Sequence, residues 1–437
     1  MFNGLFSKFK QRIQKKMESY VSGYFAAHPD IKLIVVVGSV GKTSTKTSIA
    51  TMLGQKYRVR MHEGNHNTHM SAPLAILGIP YPDNIKSFSA WRAVFRQAEE
   101  RILAPRDVDF IIQELGADHP GDIAHFGTYL KPDMAVVTAI TPEHMEFFKT
   151  MDAVAREEMA AANFSQQALI NLDDIESQYG QLLTNQNVST YGTNPAAHYS
   201  FSSQQFSPEV GHSGAFTARE FASQQVPAIV KVLGIHNLRP AVAAAAVAVK
   251  FGFSPQEIAN GLSQVRAIPG RMNLLEGARG SMIIDDTYNS SPVAAASAVE
   301  TFLSLPATKR VAVMGSMNEL GEGSQFEHEK IGRMFSPHTV EWVVTVGEEA
   351  EKFLAPAAKS NGCQVKSFRN AVEAGAFVRS TLNEEGMLIL VKGSQGGVFT
   401  EETVKVILRH PEQNNQLVRQ SPAWLAHKED FFAKYLQ

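Results

Sequence analysis

From residue 31 the chain alternates short, unbroken apolar runs with stretches of helical period. IKLIVVVG (31–38), DFIIQELG (109–116), MAVVTAI (134–140) and ALINLDD (168–174) are such runs, rich in β-branched residues. Runs without polar alternation predict strands buried on both faces, as in a parallel sheet. Residues 194–228 break the rhythm with Ser, Gln, Phe and Gly, which predicts loops or a small antiparallel insertion. VPAIVKVLGIHNLRPAVAAAAVAVKFG then reads as a strand, a turn and an Ala-rich helix. A second alternating series begins near residue 280, with strands at 281–286, 309–315, 340–347 and 387–393. Helical stretches intervene at 292–305, 325–335, 348–360 and 370–384. The pattern predicts an α/β fold: a central parallel-sheet domain over 31–267, then a smaller Rossmann-like α/β domain over 268–437. The segment Arg266–Gly270 is the expected hinge.

Residues 1–30 stand apart as a basic amphipathic helix. Phe2, Leu5, Phe6, Phe9, Ile13, Met17, Tyr20 and Val21 recur at helical spacing, with Lys8, Lys10, Arg12, Lys15 and Lys16 between them. Such a helix can lie on a membrane surface or meet a partner protein. It can also pack by its apolar stripe on its own domain. The second reading is favoured, because His28-Pro29-Asp30 leads straight into a core strand.

Composition narrows the function classes. At roughly one domain per 150 residues, 437 residues make two large domains or three smaller ones. With 44% hydrophobic and 19% charged residues, a mostly disordered chain is excluded. Basic and acidic residues number 41 and 43, so no global field favours nucleic acid. One cysteine, Cys363, can form neither an internal disulfide nor a Cys-rich zinc site, and it fits a reducing compartment. No apolar stretch reaches the roughly 18 residues of a membrane span, and the N-terminus lacks the apolar core of a secretory signal. A cytoplasmic location is the expectation.

The strongest local signal is GSVGKTS, the residues Gly38, Ser39, Val40, Gly41, Lys42, Thr43 and Ser44. It follows an apolar strand and precedes a helix from Lys42 to about Leu53. Glycines let the backbone approach a phosphate, and the N–H groups of a helix N-terminus hold the anion. Lys42 would neutralise phosphate charge and the Thr43 hydroxyl would ligate Mg²⁺. The full GxxxxGK[ST] pattern is not met, since Val36 holds its first glycine position. A tight turn with a surface lysine is the bland alternative, but the strand-to-helix placement favours nucleotide binding.

Ten segments in order resemble the Mur ligase family. Besides GSVGKTS they include EGNHNTHMSAPLAIL (63–77), ELGADHPGDI (114–123), TAITPEHMEFF (138–148), INLDD (170–174), GIHNLRPAVAAAAVA (234–248) and IPGRMN (268–273). DDTYNSSP (285–292), MGSMNELGEGSQFEHEKIG (314–332) and VKGSQGG (391–397) complete the set. DDTYNSSP is similar to the DDSYNANP of the branch that adds D-Ala-D-Ala. The resemblance implies an ATP-dependent carboxylate–amine ligase of peptidoglycan precursor synthesis, working through an acyl phosphate. Its expected substrates are a UDP-sugar-peptide precursor (UDP-MurNAc-tripeptide) and a D-amino-acid dipeptide. Two alternatives stay open: a Mur-type ligase with another acceptor, and an ATP-binding scaffold that has lost ligation.

The resemblance also assigns residues. It makes Glu114 a Mg²⁺ ligand beside Thr43, where a lone glutamate after a strand would otherwise read as a helix cap. It makes His144 a ligand of a second magnesium. Fourteen residues after that histidine the family has a carbamylated lysine; here the position is Glu158. A glutamate is already a carboxylate, so Glu158 is expected to replace the carbamate. The alternative is a register error, with Glu157 or Glu158 on a solvated helix face. Lys42, Glu114, His144 and Glu158 are thus the expected catalytic set. Asn65, Asn67, Thr68 and His69 match a substrate loop. His236 and Asn237 match the nucleotide site, although Pro240 stands where the family often has asparagine. Arg271 is expected at the nucleotide phosphates and Asp286 at the ribose, with Tyr288 and Asn289 beside it. Lys392 and Ser394 match the edge that holds the amino substrate. Relatives also carry a separate N-terminal domain for the uridine nucleotide, and the roughly thirty residues before the first strand are too few for one.

Overall fold

The computed structural model describes residues 2–435 apart from Asn65, Asp83, Ser223 and Asn383, with side chains from Lys8 to Lys434. The chain divides into two compact units, the first ending at Lys231 and resuming over Asn237–Arg266, the second comprising Val232–His236 and the residues from Ala267 onward.

In the first unit nine strands form one sheet: β1 (Lys32–Val37), β2 (Val59–Met61), β3 (Phe110–Glu114), β4 (Met134–Val137), β5 (Gln167–Asn171), β6 (Val188–Gly192), β7 (Tyr199–Ser207), β8 (Gly211–Ala218) and β9 (Val226–Val230). Their order is β2-β3-β1-β4-β5-β6-β7-β8-β9. The strands from β2 to β7 pair in parallel, and β7, β8 and β9 pair antiparallel. The polar stretch near residue 200 is therefore an antiparallel extension of the main sheet. The helices are α1 (Phe2–Ala27), α2 (Lys42–Leu53), α3 (Ala72–Leu77), α4 (Phe88–Leu103), α5 (Asp122–Phe126), α6 (Met145–Phe148), α7 (Met151–Phe164), α8 (Leu238–Lys250) and α9 (Pro255–Gln264).

α1 belongs to this unit's core. Ile13, Met17, Val21 and Tyr24 are buried in one cluster with Leu33, Val35, Leu74, Ile76 and Trp91. The apolar stripe from Ile13 to Val21 is thus packed inward; the side chains of Phe2, Leu5 and Phe6 lie outside those described.

In the second unit, six strands run in the order β10-β11-β15-β12-β13-β14. They are β10 (Asn273–Glu276), β11 (Met282–Asp286), β12 (Arg310–Gly315), β13 (Trp342–Val346), β14 (Val365–Phe368) and β15 (Leu388–Lys392). Only β10 pairs antiparallel, at the edge. The helices are α10 (Pro292–Ser304), α11 (Ser324–Gly332), α12 (Ala355–Ser360), α13 (Ala371–Thr381), α14 (Glu401–Ile407) and α15 (Pro422–Phe432). Successive strand residues feed opposite cores. Ile284, Ala312, Met314 and Leu390 enter one cluster, whereas Ile283, Val311, Val313 and Ile389 enter the other. Two covered faces favour apolar side chains at successive positions, which is why the runs are nearly unbroken. The strands that the hydrophobic pattern passes over, β2, β6, β10 and β14, are short and carry polar residues.

Met17 is 1% exposed at the centre of the α1 contact. Met17→Ala should cost about 2–5 kcal/mol, seen as an earlier urea transition of the first unit by circular dichroism.

Candidate functional site

Three neighbouring parallel strands deliver the site of the first unit. β1 ends in the Gly38–Gly41 loop, β3 ends at Glu114, and Thr138 follows β4. Val36 is in register with Glu114, and Val37 with Val137. Ligands of open α/β sheets bind at this carboxyl edge. The loop is shaped by positive φ at Gly38 (126°) and Gly41 (84°). A Cβ on Gly38 would sit 2.2 Å from Thr138 Oγ1, so only glycine fits. Thr138 Oγ1 donates to the Val40 carbonyl at 2.6 Å, and Ser39 Oγ accepts from Thr141 N at 3.0 Å. Gly41 caps α2, whose first turn holds Lys42, Thr43 and Ser44.

Lys42 turns back on its own loop. Its Nζ donates to the Gly38 carbonyl at 2.5 Å and lies 3.5 Å from Glu143 Oε1. Burial works against its charge, but Glu143, Glu158 and Glu114 together raise its pKa above the ordinary lysine value. Thr43 Oγ1 donates to Glu114 Oε2 at 3.0 Å, and Asn67 Nδ2 donates to Glu114 Oε1 at 3.3 Å. Glu114 also faces Lys46 Nζ at 3.6 Å, and Lys46 donates to the carbonyls of His62 and Gly64, fastening the 62–64 loop.

Glu157 and Glu158 are both buried, so neither lies on a solvated helix face. Their positions on α7 send them to different loops. Glu157 accepts from the N–H groups of Gly121 and Ile123 at the start of α5, at 2.7 and 2.5 Å. Glu158 Oε2 accepts from Gly38 N at 2.6 Å, inside the phosphate loop. Burial pushes the Glu158 carboxyl up to about 8, against the pull of Lys42. His144 adopts φ 48° at the N-cap of α6, with Nε2 3.8 Å from both Asp118 Oδ1 and Glu143 Oε1.

Of the expected substrate loop, Asn65 lies outside the described residues. Thr68 starts α3 through reciprocal bonds with Ser71, the Thr68 N–H donating to Ser71 Oγ at 3.1 Å. His69 Nε2 lies 3.3 Å from Asp122 Oδ1, and its ring packs against His125 and Phe126.

The second unit has its own polar centre. Asp286 and Lys392 are register partners at the ends of β11 and β15. Their side chains form a buried pair, Nζ to Oδ2 at 2.5 Å, and Lys392 also donates to the Asn289 carbonyl at 3.0 Å. Two residues expected to meet different substrates therefore hold each other here. Asp286 Oδ1 accepts from Met272 N, and Asp285 accepts from Gly270 N and from the Thr287 hydroxyl. The Arg271 guanidinium lies 4.2 Å from the centre of the Tyr288 ring. Ser394 is buried, donating to the Ser290 carbonyl at 3.3 Å and accepting from Asn318 N at 2.9 Å. His236 lies in a short 3₁₀ turn, Ile235–Asn237, and Asn237 is the N-cap of α8.

Several polar groups here escape the sequence reading. Glu143 stands beside His144 in TPEHM, and Lys46 one helical turn beyond Lys42 in GKTSTK; both positions were visible, but no pattern demanded them. Arg419 carries no local signal. It makes a buried two-pronged pair with Glu401, at 2.8 and 2.7 Å, and donates to the carbonyls of Thr287 and Tyr288. The C-terminal segment thereby fixes the DDTYN loop.

Two outcomes follow from this geometry. The Glu158 carboxyl titrates near 8 in the folded chain against an ordinary 4.5. The folded state then holds a proton that the unfolded state has lost, so stability falls as pH rises through that window. In buffer without divalent cations, the melting temperature of the native protein should fall more from pH 5 to 8 than that of Glu158→Gln. Arg419→Ala leaves Glu401 only Lys428 as a buried partner. It should destabilise the second unit by roughly 3–5 kcal/mol in urea unfolding.

Comparison with known proteins agrees with this architecture. Residues 36–248 match the Mur ligase middle domain, and residues 270–395 match the Mur ligase glutamate ligase domain. The UDP-N-acetylmuramoyl-tripeptide–D-alanyl-D-alanine ligase of Bacillus subtilis is 29% identical over 393 residues, 87% of this chain and 76% of that one. The enzyme of the same name from Escherichia coli is 25% identical over 86% of this chain and 76% of its own. Among solved structures, MurF from Acinetobacter baumannii superposes with a TM-score of 0.73 at 23% identity, covering 90% of this chain and 79% of that one. MurF ligase from Thermotoga maritima in complex with ADP gives 0.71 at 23% identity, covering 91% and 83%. The chain belongs to the Mur ligase family, the ATP-dependent ligases that form peptide amide bonds.

Proposed function

We propose that this ligase adds D-Ala-D-Ala to UDP-MurNAc-tripeptide, as the names of its relatives in Bacillus subtilis and Escherichia coli describe for those enzymes. In this reading ATP transfers its γ-phosphoryl group to the tripeptide carboxylate. The dipeptide amine attacks the resulting acyl phosphate, phosphate leaves, and an amide remains. Such chemistry needs positioning and charge neutralisation more than covalent help.

The observation that carries the proposal is the arrangement at the β1 edge. Lys42 is held charged among carboxylates in a glycine loop, with the Thr43 hydroxyl and Glu114 carboxylate paired beside it. Gly38 to Ser44, His236, Asn237, Arg271, Asp286, Tyr288 and Asn289 are assigned to ATP. Asn65, Asn67, Thr68, His69, Lys392 and Ser394 are assigned to the other substrates. Lys392 would meet its substrate from within the pair it forms with Asp286.

The donors at this edge suit Mg²⁺. The Thr43 hydroxyl and Glu114 carboxylate are hard oxygens 3.0 Å apart at a helix N-terminus. No cluster of three His, Cys, Asp or Glu ligands occurs among the described residues. Mg²⁺ in phosphoryl-transfer sites takes one or two protein oxygens and completes its shell with phosphates and water. Thr43 and Glu114 would hold one ion, with His144 and Glu158 assigned to a second; the metal supplies charge neutralisation on the phosphates. Glu158 supports the idea that it replaces a carbamylated lysine, since its carboxyl is buried against Gly38 of the loop. No helix among the described residues is long and apolar enough to cross a membrane, and we assign the reaction to the cytoplasm.

The decisive assay mixes the protein with MgATP, UDP-MurNAc-tripeptide and D-Ala-D-Ala and follows product mass and released phosphate. Pentapeptide precursor should form, and Lys42→Ala should slow it by on the order of a hundred- to thousandfold. Absence of product while ATP still binds overturns the assigned acceptor. Glu158→Ala should raise the magnesium concentration needed for half-maximal rate. Full activity of that variant at every magnesium concentration removes Glu158 from the metal site.

A further inference from the structure

α1 separates its residues by chemistry. Ile13, Met17, Val21 and Tyr24 point into the core. Lys8, Arg12 and Lys15, spaced i, i+4, i+7, share an exposed face opposite that stripe. Residues 1–17 contain no Asp or Glu, in a chain whose acidic residues outnumber its basic ones overall, 43 to 41. Lys8, Lys10, Arg12 and Lys15 form no ion pair among the described residues.

α4 lies alongside and widens this face. Phe9 meets Phe88 at 6.4 Å between ring centres, Lys16 Nζ sits 4.3 Å from the Phe95 ring centre, and the Tyr20 hydroxyl donates to Glu99 at 2.6 Å. Contacts that advance together in both helices show that they run in the same direction. Two helices side by side make a broad surface, to which α4 adds exposed Arg92 and Arg96. Arg96 is partly offset by Glu100, 3.7 Å away. At the end where α1 begins, Phe88 is 62% and Ile85 44% exposed.

We propose that this face of the first unit docks on an anionic lipid bilayer. Lys8, Arg12, Lys15 and Arg92 would lie against the headgroups, while Ile85 and Phe88 enter the interface. The combination decides the occupant. Cations alone would suit any polyanion, but large apolar side chains beside them suit a surface with an apolar layer under its phosphates. A polybasic patch joined to an apolar tip supplies the two signals that stable peripheral attachment needs. The buried stripe of α1 takes no part, so attachment needs no unfolding of the helix from its domain.

The test is co-sedimentation of the full-length protein with phosphatidylcholine vesicles, with and without about 30% phosphatidylglycerol, at about 50 and 500 mM salt. Binding should appear only with the anionic vesicles and should weaken at high salt. The triple variant Lys8→Glu, Arg12→Glu, Lys15→Glu should lower the partition coefficient by on the order of a hundredfold. Its melting temperature should not change, because all three side chains are exposed. Phe88→Ser should cost several-fold at either salt concentration. No binding of the native protein to anionic vesicles at low salt overturns the proposal, as does equal binding by the triple variant. Tighter binding to a short single-stranded oligonucleotide than to the vesicles reassigns the face to nucleic acid.

Discussion

Charge taken out of water governs the carboxyl edge of the first sheet. Lys42 and Lys46 bring two positive charges there, and Glu114, Glu143 and Glu158 bring three carboxyl groups. An unpaired buried charge is costly, so each lysine is surrounded by acceptors: carboxylates, the Gly38 carbonyl, and the carbonyls of His62 and Gly64. The excess carboxyl is resolved by protonation. Burial pushes Glu158 up to about 8, and Glu143 is also raised by burial despite the pull of Lys42 and His144. Lys42 therefore remains charged while bonded to its own loop. A polyphosphate arriving there exchanges a neutral carbonyl partner for an anionic one. The differential between those partners is what such a loop has available for binding.

The second unit solves the same problem at the ends of β11 and β15. Parallel register brings Asp286 and Lys392 together, and one ion pair meets the needs of two buried charges. Asp285 has no cation partner among the described residues. Burial raises it to about 6, while Gly270 and Thr287 donate to its oxygens. Farther along the chain Glu401 is fully buried between Arg419 and Lys428. Arg419 spends its remaining donors on the carbonyls of Thr287 and Tyr288, so the C-terminal segment orders a loop whose motif ended more than a hundred residues earlier.

The sequence made the architecture legible wherever one physical demand dominated. Strands covered on both faces are apolar along most of their length, so the central strands of both sheets could be read from their apolar runs. The loop after β1 was legible because only glycine tolerates the backbone at Gly38 with Thr138 Oγ1 so close. Half-polar strands such as β6 and β14 were not legible, because VSTYG and VKSF carry no unbroken apolar run, and pairing with the preceding strand makes them strands. The candidate site divides the same way. Lys42 and Thr43 follow from the glycine loop at a strand end, whereas Glu114 follows only from the resemblance, since alone it reads as a helix cap. Glu143, Lys46 and Arg419 depend on which loops the fold brings within reach, and no spacing encodes that.

Glu157 and Glu158 show where the limit lies. Adjacent helical residues point about 100° apart, so one faces the start of α5 and the other the phosphate loop. From the text the pair reads equally well as a solvated acidic run. Only the packing of α7 against β1 and α5 excludes that reading, by leaving both carboxyls buried with backbone N–H groups as donors. A lysine at position 158 would bring a third positive charge beside Lys42 and Lys46. A glutamate instead accepts from Gly38 and adds no positive charge, and once ionised it adds to the negative potential that keeps Lys42 protonated. The substitution thus changes the charge balance of the loop itself, before any metal is considered.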